Sequence, residues 1–434
     1  MGKWYLAPIA LAVHIYVLIR SEKKATSVLV FALCFNATLL HWTSIYVGSL
    51  PWVILFIGLS ILYLPLTLVG RWGIASYPFI FIVCEEVRNR FPFGGFGWAR
   101  IAYSQADAPY SKIASFGGAT ALSAITILLA LFIFRLCNKK FQPLILLPLA
   151  LLFIPTNIIP LGQTNVLMIQ GNVPNYGLDF NSRATQVFYN HLKETEKALI
   201  KFPKVDFIVW PENAVDVDPF KNQKIKEQLD NYKVPLIIGA IVDNNGKTLN
   251  TSILWTIDAQ DVYAKQHLTP FGEYIPLRSL AQIVSPLVDQ VDDFSPGDQS
   301  KVFTVGTAKI APVICYELID DSILEKAAKD SNILVVQTNS ATFGRSAESA
   351  QQLSISRVRA IEHSRNVISV STTGYSAVID YKGQVSQQSS MGTAEHIYAT
   401  VDLIDQPSPR DRLGDWALVL TLIWLLLVAR RAYR

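Results

Sequence analysis

Charged residues are scarce in this chain. They make up 17% of its 434 residues, whereas hydrophobic residues make up 51%. A soluble globular protein carries about 25% charged residues, so this composition excludes a wholly soluble chain. Cysteine is also rare, with four in all, and Cys34, Cys84 and Cys137 lie in or next to long apolar segments. Scattered cysteines of this kind argue against a disulfide framework. Cys315 alone lies in the polar part of the sequence.

Several functional signatures are missing as well. The six histidines show no metal-ligand spacing, and the chain has no Gly-x-Ser-x-Gly nucleophile motif and no phosphate-binding loop. Residues 162–409 hold 21 Lys and Arg against 28 Asp and Glu, a net charge of −7 from the difference of the two counts. A nucleic-acid-binding domain is basic instead. We therefore expect no metal, no cofactor and no nucleic-acid partner.

Long apolar runs dominate the two ends of the chain. A helix that spans a bilayer needs about 20 mostly apolar residues. Seven stretches are candidates: Trp4–Ile19, Thr26–Tyr46, Pro51–Val69, Ile74–Val87, Ile113–Leu136, Phe141–Leu161 and Trp416–Ala429. We predict a polytopic α-helical membrane domain over residues 1–161, a polar domain over 162–409, and a C-terminal transmembrane helix with a basic tail over 410–434.

Basic residues in the links predict the orientation of these helices. They fall in alternate links, namely Lys23-Lys24, Arg71, Arg135 with Lys139-Lys140, and Arg430-Arg431. The positive-inside rule places such links in the cytoplasm, so the N-terminus and the polar domain are predicted to lie outside it. An external N-terminus predicts a further helix upstream. The Arg88–Lys112 link is basic yet external by this scheme, and it is either a functional loop or a plain charged one.

The pattern changes from Thr164 onward, where short β-rich runs alternate with amphipathic helical segments, as in an α/β domain. The predicted strands are Val166–Gln170, Phe207–Trp210, Pro235–Ile241, Ser252–Ile257, Lys309–Cys315, Ile333–Gln337, Val367–Ser371, Ala377–Asp380 and His396–Val401. The predicted helices are Asn181–Phe202, Pro219–Tyr232, Asp321–Ser331 and Ala347–Arg365.

Three polar groups follow apolar strands, where α/β folds place their sites. Cys315 is a candidate nucleophile, Glu212 could take the proton of its thiol, and Lys265 could stabilise an oxyanion by charge. Glu273 and Glu317 could orient the lysine or the leaving group. Each residue alone also has a plain explanation, since a cysteine at a strand end is usually a small core residue.

The segments around these three residues resemble the nitrilase superfamily, and more closely its membrane branch, the bacterial apolipoprotein N-acyltransferases. That family carries W-P-E-[SN]-A, K-x-H-L-x-P-F-G-E-[FY]-[IV]-P and I-C-Y-E, which match residues 210–214, 265–276 and 314–317. The agreement continues at 170–172, 338–344, 357–365 and 96–105. The family differs at Gly177–Phe180, where it commonly has a tryptophan, and it typically has one more N-terminal helix.

The resemblance implies a nitrilase-like αββα sandwich for the extracytoplasmic domain, in a multi-pass protein of the bacterial plasma membrane. It implies that Glu212 is the general base, Lys265 the oxyanion stabiliser and Cys315 the acylated nucleophile, with Glu273, Tyr316 and Glu317 in support. The implied donor is a phospholipid, and the implied acceptor is the α-amine of a diacylglyceryl apolipoprotein. We expect a monomer that contacts membrane lipid.

Two other functions stay open on the sequence. A membrane-anchored nitrilase-like amidase would use the same three residues to hydrolyse a C–N bond. A catalytically dead lipid-binding scaffold would keep the fold without the chemistry. His267 lies within the second motif, where it either joins the site or has a structural role. The apolar stretch Ser279–Pro296 is a candidate lid that would keep water from a thioester.

Overall fold

The computed structural model of the chain describes residues 2–173, 185–284 and 293–432. The chain separates into two compact units. Met1–Asn157 and Ser408–Arg434 form the first, here called the helical unit, and Ile158–Pro407 form the second, here called the sandwich unit. The departure at Gly177–Phe180 lies outside the described residues, as does the centre of the proposed lid.

Helices dominate the helical unit and cover the sheets of the sandwich unit. Over the described residues the α-helices are α1 (Leu6–Arg20), α2 (Lys24–Leu39), α3 (Ser44–Val47), α4 (Ser49–Ile61), α5 (Val69–Trp72), α6 (Tyr77–Arg90), α7 (Ala114–Cys137), α8 (Gln186–Lys201), α9 (Gln223–Asp230), α10 (Arg278–Val284), α11 (Asp321–Asp330), α12 (Glu348–His363), α13 (Pro409–Leu413) and α14 (Trp416–Ala432).

Two helical stretches of the described chain are long and apolar enough to cross a membrane. They are Ser49–Trp72, with 24 residues, and Ser111–Cys137, with 27. Each contains one of the predicted spans. Shorter apolar helices cover Leu6–Arg20, Lys24–Leu39 and Pro143–Phe153. The complete multi-pass arrangement therefore stays a prediction.

The predicted span Phe141–Leu161 is not a continuous α-helix. Its helical part, Pro143–Phe153, is wound as a 3-10 helix, and Pro148 lies inside it. Proline has no backbone N–H, and its ring clashes with the preceding turn, so it interrupts an α-helix. The hydropathy of this stretch gave the right apolar character but the wrong helix type.

The Arg88–Lys112 link folds into the helical unit as a series of 3-10 turns. The Glu85 carboxylate at Oε1 accepts a hydrogen bond from the backbone N–H of Ile101 at 2.7 Å. The Glu86 carboxylate at Oε1 accepts one from Arg100 Nη2 at 2.9 Å. Both carboxylates lie on α6, so α6 anchors the link, and the link is not a plain solvated loop.

The sandwich unit contains two six-stranded sheets. Its strands are β1 (Gly162–Gln170), β2 (Phe207–Val209), β3 (Leu236–Asn244), β4 (Lys247–Trp255), β5 (Gln260–Ala264), β6 (Phe303–Val305), β7 (Ala308–Ile314), β8 (Ile333–Thr338), β9 (Val367–Ser371), β10 (Ala377–Ile379), β11 (Val385–Gln388) and β12 (Glu395–Leu403). The first sheet has the order β12-β1-β2-β3-β4-β5, and the second has the order β11-β10-β9-β8-β7-β6.

Alternation along the strands explains how the layers stack. In β1, Val166 and Met168 join a core that also contains Ile310 and Val335 of the second sheet. Leu167 and Ile169 point the other way, into a core with Phe188 of α8. Successive side chains of a strand face opposite sides of a sheet, so one face of β1 meets the second sheet and the other meets a helix.

Helices cover the outer face of the second sheet as well. Helix α11 packs on β7, and α12 packs on β9 and β10. The order of layers is therefore helix, sheet, sheet, helix, and the predicted αββα sandwich is confirmed.

Strand direction brings several strand ends to one edge. Strands β2 and β3 are parallel, whereas β4 is antiparallel to both β3 and β5. The carboxyl ends of β2, β3 and β5 therefore lie on the same side of the first sheet. The sequence that follows β2 carries Glu212, and the residue that follows β5 is Lys265. The fold thus delivers both groups to one edge.

Candidate active site

Glu212 lies in a tight turn after β2. Its side chain is 5% exposed, and Asn213 beside it has a φ of 53°. The turn rests directly on Gly239 of β3, because a Cβ at Gly239 would come within 2.3 Å of the Pro211 carbonyl oxygen. The hydroxyl of Thr372 donates a hydrogen bond to the Glu212 carbonyl oxygen at 3.2 Å. Glu212 is therefore held by backbone packing that only glycine at position 239 permits.

Lys265 is the lysine of the site, and it is almost fully buried, at 1% exposure. Its Nζ lies 2.7 Å from Glu273 Oε2 and 3.5 Å from Glu212 Oε1. It also donates a hydrogen bond to the hydroxyl of Thr269 at 3.2 Å. A buried ammonium is tolerated only when it is paired in this way, so the two carboxylates hold the charge of Lys265 in place.

Cys315 is the first residue of a 3-10 turn that follows β7 directly. Its φ is 49°, in the left-handed region that side chains with a Cβ rarely adopt. The turn is fixed by Glu317, whose Oε2 accepts a hydrogen bond from the Ile314 N–H at 2.7 Å. Strained backbone at a cysteine, imposed by the surrounding structure, is typical of a functional position.

The carboxylate of Glu212 and the thiol of Cys315 shift each other's pKa, so the two groups interact directly. On the other side of the thiol, the amide nitrogen Nε2 of Gln352 on α12 lies 3.5 Å from Sγ and donates to it. Cys315, Glu212 and Lys265 therefore form one continuous cluster, as the sequence predicted.

The charges of the cluster shift the acid–base properties of each member. Burial, and then the neighbouring Glu212 carboxylate, raise the pKa of Cys315 well above its ordinary range, although Lys265 opposes the shift. Burial likewise raises the pKa of Glu212 against the opposing charge of Lys265. The thiol is therefore protonated at rest, and the carboxylate beside it is a stronger base than an ordinary glutamate.

Lys265 and Glu273 behave as an ion pair. Burial by itself would lower the pKa of Lys265, but the carboxylates of Glu273 and Glu212 outweigh it, and the pKa is raised. For Glu273, burial acts to raise the pKa, but the charge of Lys265 outweighs it, and the pKa is lowered. A positive charge is thus fixed beside the thiol over the whole physiological pH range.

Asn250 is a site residue that the sequence reasoning missed. Its Nδ2 donates to Glu212 Oε1 at 2.8 Å and to Glu273 Oε1 at 2.6 Å. It lies near the start of β4, and its carbonyl oxygen accepts the backbone N–H of Lys265 at 2.8 Å. Asn250 is 1% exposed in its strand, and burial of an amide cannot be read from the sequence without the fold.

The supporting residues differ in what they contact. Glu273 forms an ion pair with Lys265 at 2.7 Å, whereas Glu317 interacts with that lysine through charge and makes its hydrogen bonds elsewhere. Glu317 Oε1 instead accepts hydrogen bonds from the hydroxyl of Tyr263 and the backbone N–H of Gln266, both at 2.7 Å. Together with its bond to Ile314, these contacts join the ends of β5 and β7. Glu317 therefore braces the two strand ends that carry Lys265 and Cys315.

His267 has a structural setting. Its Nδ1 lies 2.8 Å from Asp320 Oδ2, and its ring meets the Tyr316 ring edge-on with centroids 5.2 Å apart. Tyr316 itself is buried, at 4% exposure. The pair of rings therefore packs behind the cysteine turn and supports it.

Comparison with known proteins extends this picture to the whole chain. The family model described as apolipoprotein N-acyltransferase N-terminal domain matches residues 1–132, and the one described as carbon-nitrogen hydrolase matches residues 168–406. An apolipoprotein N-acyltransferase of Mycolicibacterium smegmatis is 30% identical over 493 residues, covering 99% of this chain and 82% of that protein. One of Geobacter metallireducens is 30% identical over 443 residues, covering 90% and 84%.

A solved structure matches part of the chain. It is Saccharomyces cerevisiae Nit3, a member of branch 10 of the nitrilase superfamily, which is 19% identical with a TM-score of 0.43. The match covers 57% of this chain and 93% of that one.

Proposed function

Since the chain belongs to the apolipoprotein N-acyltransferase family, we propose that Glu212, Lys265 and Cys315 perform its acyl transfer. The chain is an acyltransferase of lipoprotein biosynthesis on a carbon–nitrogen hydrolase fold. The observation that carries the residue assignment is the single cluster in which buried Glu212 pairs with Lys265 and interacts with the half-buried Cys315 thiol.

In the first half-reaction, Glu212 takes the proton of the Cys315 thiol, and the thiolate attacks the ester carbonyl of a phospholipid acyl chain. The negative charge that develops on the carbonyl oxygen is stabilised by the ammonium of Lys265. The C–O bond then breaks, and Glu212 returns its proton to the departing alkoxide of the lysophospholipid. The product is a thioester on Cys315, which keeps the acyl group activated.

In the second half-reaction, the α-amine of the N-terminal diacylglyceryl-cysteine of an apolipoprotein attacks the thioester carbon. The C–N bond forms, the C–S bond breaks, and Sγ leaves as the thiolate. Lys265 stabilises the oxyanion again. A proton from the nitrogen restores the thiol, and the lipoprotein leaves with an amide-linked third acyl chain.

Glu273 and Asn250 prepare the site for both steps. The carboxylate of Glu273 keeps Lys265 charged, and Asn250 holds the Glu212 and Glu273 side chains apart by donating to both. Without Asn250, the Glu212 and Glu273 carboxylates would compete for the same N–H groups of the Lys265 ammonium. Glu317 and Tyr316 contribute through the placement of Cys315.

The orientation of the chain in the membrane belongs to the same proposal. Lys24 comes from one basic link and Arg135 and Lys140 from another, yet all three line one cavity of about 460 Å³ in the helical unit. Their convergence supports a common side for these links, which the positive-inside rule assigns to the cytoplasm. The sandwich unit then lies outside the cytoplasm, at the leaflet that holds lipoproteins. A green fluorescent protein fused after Arg434 should fluoresce, and alkaline phosphatase fused there should stay inactive.

The proposed function predicts a change in the lipoproteins of a strain depleted of this chain. Mass spectrometry of their N-terminal peptides should show loss of the amide-linked acyl chain, and expression of the wild-type chain should restore it. A strain whose lipoproteins stay triacylated on depletion would contradict the function, and an amidase acting on a small C–N bond would give that result.

A further inference from the structure

Glu348 is a buried carboxyl at the site that the two half-reactions above do not use. It is 1% exposed and is the first residue of α12. Gln352 lies one turn further on, and residues four apart share a face of a helix. Because Gln352 donates to Cys315 Sγ at 3.5 Å, the face that carries Glu348 is the face turned to the nucleophile.

Glu348 interacts electrostatically with the reacting groups. The Glu212 carboxylate, from the turn after β2, raises the pKa of Glu348, and Glu348 in turn raises the pKa of the Cys315 thiol, from the turn after β7. Hydrogen bonding to Ser340, from the turn after β8, acts in the opposite direction on the pKa of Glu348.

One oxygen of the Glu348 carboxyl makes no hydrogen bond within the described chain. Oε2 of Glu348 has no hydrogen-bond partner among the described residues, although it is buried. A buried polar atom without a partner is unfavourable, so Oε2 is available to a donor that enters the site with a substrate.

We propose that Glu348 Oε2 receives the α-amine of the apolipoprotein acceptor and holds it against the Cys315 thioester. The inference rests on the proposed function. During transfer the amine nitrogen bonds to the carbon that is attached to Sγ, so it must come within bonding distance of that carbon. A cationic phospholipid head group is the other possible partner, but several bonds separate it from the reacting carbonyl.

The acid–base properties of Glu348 suit this partner. Burial raises the pKa of Glu348 to about 8, and Glu212 contributes to the shift. An α-amino group has a pKa of about 7.7–8.0, so the proton is shared almost evenly between the two groups when they meet. Glu348 can therefore draw a proton from the incoming ammonium and free the lone pair that attacks the thioester.

The test separates the two half-reactions in the E348Q variant of the full-length protein in detergent. Thioester formation is followed with a phospholipid alone, and transfer is followed after addition of a synthetic diacylglyceryl peptide with a free α-amine. We expect thioester formation within about threefold of wild type and transfer slower by about 100-fold, the low end of the range for a positioned proton acceptor. E348D, which keeps the carboxyl, should recover part of the transfer rate.

The pH dependence of transfer is a second readout. In the wild type, transfer should rise through about pH 8, where Glu348 and the amine lose their proton. In E348Q the rise should follow the acceptor amine alone. S340A, which keeps the carboxyl but removes its hydrogen-bond partner, should shift the midpoint upward, since that bond lowers the pKa.

Several results would overturn the inference. Equal loss of both half-reactions in E348Q would make Glu348 a general support of the site, and equal retention would give it no role. A defect confined to thioester formation from zwitterionic phosphatidylethanolamine, and absent with anionic phosphatidylglycerol, would assign Oε2 to the donor head group instead. A wild-type chain that forms no thioester would overturn the proposed function, and this inference with it. Thermal unfolding of E348Q near the wild-type temperature excludes misfolding.

Discussion

Buried charge is arranged differently in the two units. In the helical unit, the carboxylate of Glu86 forms ion pairs with Arg90 and Arg100. In the sandwich unit, Glu212 and Glu273 share the single ammonium of Lys265, and Glu348 adds a third carboxyl without a cation of its own in the described chain. In the helical unit two cations surround one carboxylate, whereas in the sandwich unit three carboxyl groups lie around one cation.

The difference separates charged groups that stabilise the fold from charged groups that take part in proton transfer. A carboxylate paired with more than one cation fixes the elements that carry the pair, as Glu86 fixes the link through Arg100. Carboxyls in excess repel one another and hold protons more tightly, so they can give and take protons near neutral pH. Substitutions of glutamate by glutamine, which keep shape and remove charge, distinguish the two cases.

The largest effect on catalysis is expected for Glu212→Gln. The amide cannot take the thiol proton, so the rate of thioester formation should fall by about 10²–10⁴-fold, the usual contribution of a general base. Stability should be unchanged or slightly higher, because one of the crowded carboxyls is removed. Single-turnover mass spectrometry measures the rate, with exposed Glu227→Gln on α9 as the matched control. Thioester formation at the wild-type rate would remove Glu212 from the mechanism.

Glu86→Gln should give the opposite result. Arg100 is buried, and the substitution breaks its ion pair with Glu86, a change that costs about 3–5 kcal/mol for a buried pair. The detergent-solubilised protein should therefore unfold at a clearly lower temperature, while the variant fraction that remains folded should still form the thioester. Exposed Glu22→Gln is the control. If Glu86→Gln were as stable as Glu22→Gln, the comparison between the units would fail.

A third substitution, Glu273→Gln, should move the pH profile of thioester formation. The Glu273 carboxylate raises the pKa of Glu212 and that of Lys265. The acid limb of the profile reports protonation of Glu212, which abolishes the base. Without Glu273 the pKa of Glu212 falls, so the acid limb should shift to lower pH. An unchanged acid limb would separate Glu273 from the base.

The smallest effect is expected for Gln352→Met, which removes the amide donor to Sγ and nearly keeps the side-chain length. A hydrogen bond of this kind contributes about 1 kcal/mol, so thioester formation should change by about fivefold. The measurement is the same single-turnover assay. A loss as large as that of Glu212→Gln would make Gln352 part of the proton-transfer machinery.

Much of the sandwich unit follows from local sequence patterns. The four predicted helices contain α8, α9, α11 and α12, and the predicted strand Lys309–Cys315 overlaps β7, which ends one residue earlier. Strands β5, β6 and β11 were missed, because they are short and each contains polar residues, whereas the equally short strands β2 and β10 are wholly apolar. The 3-10 helix at Pro143–Phe153 was also missed, since hydropathy does not distinguish helix types.

The site residues also divide into those that the sequence predicted and those that it missed. Glu212, Lys265 and Cys315 follow apolar strands and were predicted from that position. Asn250 lies inside a strand, and Glu348 and Gln352 lie on a helix. Their importance depends on which elements meet across the sandwich, and that is a property of the tertiary fold. Asn250, Glu348 and Gln352 are found only when the register of β4 and the rotation of α12 are known.

The central claim is that Cys315 carries the acyl group, and intact-protein mass spectrometry tests it most directly. The purified chain is incubated with a phospholipid and no acceptor. The account predicts one acyl adduct on Cys315 that hydroxylamine removes, that the acceptor peptide discharges, and that Cys315→Ala never forms. A hydroxylamine-labile adduct on Cys315→Ala, or acyl transfer to the acceptor by that variant, would contradict it.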